Sequence, residues 1–132
     1  MSHFLLEIVL GIHAFSTLAM TGLIWMVQLV HYPLFAKVGE EAFREYEAAH
    51  TRRITWLVGP LMLLEAASAS ALMLEIESPI ARILAGVGLV LLLATWLSTA
   101  FLQVPCHTRL SRGFNHAAVG RLVGTNWIRT AA

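Results

Sequence analysis

Histidines and amides gather at four points of this sequence where apolar runs give way to polar residues. The stretches are TGLIWMVQLVHYPLF (21–35), YEAAHTRRITW (46–56), FLQVPCHTRL (101–110) and GTNWIRT (124–130). An imidazole titrates near neutral pH, so His31 is a candidate general base. Imidazole also suits Zn, Cu and Fe, which makes His31, His50 and His107 a candidate metal set that only tertiary structure could close. Gln28, Tyr32, Gln103, Asn126 and Arg129 offer donors and acceptors that could orient a carbonyl or phenol, and are the candidate substrate-binding residues. Glu65 is a candidate catalytic carboxyl. It lies about 16 Å inside an apolar run that opens at Ile54, a depth at which a carboxyl is costly. The competing reading of Glu65 is a hydrogen bond to a hydroxyl that glues two helices. His13, within the first apolar run, could serve as an axial ligand to haem or chlorophyll.

The elements that must position these groups are helices in a bilayer. Of the 132 residues, 58% are hydrophobic and 13% charged, against about 25% charged in soluble domains. Mean hydropathy is +0.71. The reading is an all-α integral membrane bundle, residues 1–132 forming a single membrane domain. Spans are expected at about 4–30, 54–76 and 83–104, with surface segments at 34–53 and 108–124 and a fourth helix from 125. No Asp, Glu, Lys, Arg or Pro stands between Glu7 and His31, enough for a span of about 20 residues. At 100° per residue, His13, Ser16, Thr17, Thr21, Gln28 and His31 form one stripe roughly 140° wide, which lipid cannot satisfy and which should face protein. Pro33 and Pro105 are predicted to end their helices, and Gly59-Pro60 to kink the second span. AASASA (66–71) supplies small residues for close helix contact.

A net charge of +1 gives no reason to expect nucleic acid as a partner. The single Cys106 excludes an internal disulfide. MSHFLLEIVL lacks the basic segment of a cleavable signal peptide. GTNWIRTAA resembles the entry to the second span, which predicts that the native chain extends beyond Ala132 and completes a four-helix bundle. Lys37, Arg44, Arg52, Arg53, Arg109, Arg112 and Arg121 flank one side of the spans and Arg82 the other. The histidine-bearing border is therefore expected in the cytoplasm, with the N-terminus outside.

"HYP" after the first helix, a Pro…Glu pattern in the second, "PCHTRL" after the third and "NWIRT" before a fourth resemble the anthrone-oxygenase-like family of small bacterial and fungal membrane proteins. His31, Pro33, Pro105, Leu110, Trp127, Arg129 and Thr130 match most directly. The chain departs from the family at His107 and at Asn126-Trp127. The resemblance implies a four-helix bundle in the bacterial inner membrane, and oxygenation of polycyclic phenolic substrates without an obvious cofactor.

Two functions of different class follow. One is an oxidoreductase or oxygenase acting on an apolar aromatic or quinone-like molecule that enters from lipid. The other is a non-enzymatic accessory subunit packed against a larger membrane complex. A proton-conducting role through Glu65 would need a homo-oligomer. The charge asymmetry predicts that cysteines placed at Lys37 and Ser111 behave alike. Neither should react with an impermeant maleimide in intact cells, and both should react after permeabilisation. Labelling of one alone would rule out three spans.

Overall fold

The computed structural model describes residues 1–132 and is built of four helices joined by short links. They are α1 (His3–Phe35), α2 (Glu40–Glu75), α3 (Pro79–Leu110) and α4 (His116–Ala131). Local sequence sets their starts. The Ser2 hydroxyl accepts from the Leu5 amide at 3.3 Å. Ser78 caps α3 with Pro79 in the first turn. The Asn115 side chain accepts from the Ala118 amide at 2.8 Å. Such caps satisfy amides that a helix leaves unpaired at its start. Glu40 and Glu41 place negative charge on the first turn of α2, where the helix dipole favours it. Gly113, at φ +145°, makes the turn into α4 possible.

Three of the helices are long and apolar enough to cross a membrane, and the chain is a multi-pass membrane protein. Thirty-six residues make α2, about 54 Å at 1.5 Å per residue, against a hydrocarbon core of about 30 Å. Its first turns therefore project beyond the bilayer. Phe43, Glu47 and His50 share one face there, at i, i+4 and i+7.

The prolines do not end their helices. Pro33 and Pro105 are each preceded by one wide turn, Val27–His31 and Thr99–Gln103. There Tyr32 N–H bonds to the Val27 carbonyl and Val104 N–H to that of Thr99, each five residues back. A proline cannot donate to the carbonyl four residues earlier and crowds it; one π turn makes room, and the helix runs on. The expected ends at Pro33 and Pro105 thus move to Phe35 and Leu110. The 34–53 segment is largely the start of α2, because Gly39 and the two glutamates begin a helix that the apolar run then continues. The 108–124 segment divides into the end of α3, a turn and the first half of α4, so the fourth helix starts at His116, not 125. Helix α2 passes unbroken through Pro60.

The packed core lies at the histidine-bearing border. Val27, Tyr32, Phe35, Phe43, Cys106, Leu110, Ala118, Val119 and Leu122 are its buried apolar residues. Along the spans most large apolar side chains are exposed, including Phe15, Leu18, Leu63, Val90 and Phe101, as suits helices whose outer surface meets lipid. Two glutamines, one in each π turn, hold α4 in this core. Asn126 Nδ2 donates to Gln28 Oε1 at 2.7 Å, and Gln28 Nε2 donates to the Val123 carbonyl at 3.3 Å. Gln103 Nε2 donates to Thr125 Oγ1 at 3.2 Å while its Oε1 accepts from Ser98 at 3.1 Å. Asn126→Ala leaves a buried Gln28 acceptor unpaired. It is expected to cost about 1–3 kcal/mol, read as a lower thermal midpoint in detergent.

Candidate functional site

Four ionisable side chains from three helices meet beneath Phe35. His31 ends the π turn of α1, Glu47 and His50 stand one turn apart on α2, and His107 follows Pro105 on α3. The Phe35 ring is fully buried and stands edge-on to His31 at 5.1 Å, to His50 at 5.3 Å and to His107 at 6.5 Å between centroids. His31 Nε2 and His50 Nδ1 are 2.8 Å apart. At that separation one proton lies between the two rings, one nitrogen donating and the other accepting.

The second arm of the cluster is a relay. His107 Nδ1 lies 2.6 Å from Glu47 Oε1 and His107 Nε2 lies 3.2 Å from the Tyr32 hydroxyl. A carboxylate only accepts, so His107 donates through Nδ1 and its Nε2 is left to accept from Tyr32 O–H. The ring planes of His50 and His107 are tilted by 34° with centroids 5.5 Å apart, which brings the two arms together. Glu47 is 0% exposed, and its second oxygen has no hydrogen-bond partner. The Arg129 guanidinium lies near the Tyr32 hydroxyl and donates to Thr99 Oγ1 at 3.2 Å.

The structure therefore brings His31, His50, His107, Tyr32 and Arg129 to one border. No three His, Cys, Asp or Glu side chains surround a common point that could take a metal ion. The three histidines meet as hydrogen-bonded and stacked rings, not as converging ligands, because Glu47 and Tyr32 engage both nitrogens of His107. Gln28, Gln103 and Asn126 are spent on the clasp around α4 instead of facing a substrate. Glu65 stands apart, lining a separate groove between the spans. His13 Nδ1 lies 3.1 Å from Ser68 Oγ, tying α1 to α2. His116 stands edge-on to Phe114, with ring centroids 4.6 Å apart.

Sequence reasoning passes over Glu47 as one of several charges in a solvated stretch. The signal is present: Glu47-Ala48-Ala49-His50 is a Glu-x-x-His pair, which sets both side chains on one helix face. A small cleft of about 280 Å³ opens beside the imidazole pair, lined by Val27, His31, Tyr46, His50, Arg53 and Leu57 among others. Comparisons of the chain with protein families, curated proteins and solved structures find no match. Fold and site define a helical membrane protein with a buried carboxylate–imidazole–phenol relay at one border.

Removing the donor to a buried carboxylate costs about 1–3 kcal/mol or more, since its charge is left without a hydrogen-bond partner. His107→Ala is expected to lose that much stability. Glu47→Gln in the same background should restore part of it in a double-mutant cycle.

Proposed function

We propose that this protein is a membrane oxidoreductase or oxygenase whose border cluster exchanges protons with an apolar aromatic or quinone-like molecule. The observation that carries this reading is the His31–His50 pair, which shares one proton and lines an apolar cleft. A phenol lying in that cleft, between Tyr46 and the imidazoles, would hand its proton to the pair. Electron-rich phenolates are the species most readily oxidised, so general-base catalysis is the step the residues can supply. Phe35 fixes the rings, and Glu47 with Tyr32 fixes His107 behind them. Val27 and Leu57 give the cleft its apolar wall, and Arg53 offers a cation at its mouth.

The resemblance to the anthrone-oxygenase-like family points the same way, through His31, Pro33 and the "NWIRT" element. In this reading the protein lies in a bacterial inner membrane with the cluster on the cytoplasmic side, where Lys and Arg are concentrated. Substrate enters from the lipid, since the cleft includes Met26 and Ile54 at the ends of the two apolar runs.

Oxygen uptake by the purified protein with an apolar polycyclic phenol tests the proposal. His31→Ala and His50→Ala are each expected to lower the rate by about 10²–10⁴-fold with helix content retained. Rates unchanged by both substitutions would overturn it. An inert wild type that purifies with a stoichiometric membrane partner would favour the accessory-subunit reading instead.

A further inference from the structure

The cleft beside His31 and His50 is built by α1 and α2 alone. Helix α4 has already passed this level where Asn126 meets Gln28, and Ala132 lies deeper, lining the larger groove with Thr21. At 100° per residue, Met26 of the cleft falls on the opposite side of α1 from His13, Thr17 and Ile24 of that groove. Whatever fills the groove therefore leaves the cleft as it stands.

Size and position limit what enters. A cavity of about 150 Å³ holds one benzene ring. The cleft, at about 280 Å³, takes one or two fused rings and no long chain besides. Met26 and Leu57 are 48% and 52% exposed and form its lipid side. A chain attached to the rings must leave over these two residues into the bilayer.

Polar groups stand at two places along the rings. In the His31–His50 pair the shared proton leaves one outer nitrogen bare and the other carrying N–H, whichever way it sits. Those outer nitrogens, His31 Nδ1 and His50 Nε2, have no partner in the protein and are not sealed within it. Arg53 also lines the cleft. It follows His50 by three residues, which puts both on one face of α2 with Cβ atoms about 5–6 Å apart. Its guanidinium has no ion pair, and no acidic side chain lines the cleft. The spacing suits two oxygens on opposite sides of one aromatic ring. One hydroxyl donates to the bare imidazole nitrogen, and the other oxygen accepts from Arg53.

We infer that the cleft binds the one- or two-ring head of a lipid-tailed hydroquinone, one hydroxyl on the His31–His50 pair, the other oxygen on Arg53 and the tail leaving over Met26 and Leu57. This narrows the quinone-like substrate of the proposed function and rests on that reading for its chemistry, while binding is read without turnover.

Retention of decylubiquinol by the full chain in phosphatidylcholine nanodiscs, kept reduced under argon and compared with empty nanodiscs, tests the inference. The quinol should be retained at one per chain. Its dimethyl ether, which has no hydroxyl to donate, should bind at least about tenfold more weakly. Arg53→Gln, at an exposed position, should weaken the quinol severalfold in a folded protein. Leu57→Trp should obstruct the exit and weaken it at least about tenfold. Equal binding of quinol and ether would overturn the inference, as would full binding by Leu57→Trp or retention no greater than in empty nanodiscs. Oxidation of a polycyclic phenol by a protein that retains no quinol would overturn this inference alone. Stoichiometric quinol on a protein that oxidises neither quinol nor phenol would support the site and overturn the oxidoreductase reading.

Discussion

A carboxylate buried to 0% exposure, that of Glu47, constrains everything at the histidine-bearing border. Such a group survives burial only when hydrogen-bonded, and His107 meets it at 2.6 Å. That contact joins the start of α2 to the end of α3. It also decides which nitrogen of His107 carries the proton, and so makes Tyr32 the donor to the other nitrogen. Tyr32 in turn belongs to α1. One buried charge thus sets the mutual placement of three helices and the protonation pattern of the site.

The π turns solve a related problem of placement. Each of α1 and α3 must carry a proline close to the border and still deliver side chains beyond it. Widening one turn before Pro33 and Pro105 absorbs the missing amide and lets the helices continue. It also places Gln28 and Gln103 against α4, where their amides are consumed by Asn126, Val123 and Thr125. Polar side chains in an apolar surrounding seek protein partners, and here those partners lie on the short fourth helix. The amides therefore serve as the clasp, and the imidazoles are left to face the cleft.

Two cavities of different character result. The cleft at the border is small and walled by the His31 and His50 imidazoles, Tyr46 and aliphatic side chains. The groove within the spans is long and apolar, with a cation at one end. The first has the groups for proton transfer; the second is lined mostly by hydrophobic side chains. Arg129 lies near Tyr32 of the relay and also lines the groove.

The three apolar runs, their order and the meeting of His31, His50 and His107 at one border are legible in the sequence. Hydropathy and helical period are local properties, and helices joined in succession must bring alternate ends together. The continuation of α1 and α3 past their prolines is not legible, because a proline permits either a stop or a widened turn and packing beyond it selects between them. The part played by Glu47 is likewise hidden. Its Glu-x-x-His spacing is visible, but only the arrival of His107, 60 residues later, turns a surface charge into a buried one. Gln28 finds Asn126 across 98 residues, so its role as clasp and not ligand was decided by tertiary structure alone. Partner choice for a buried polar group depends on what else is brought within about 3 Å of it, and no local pattern along the chain records that.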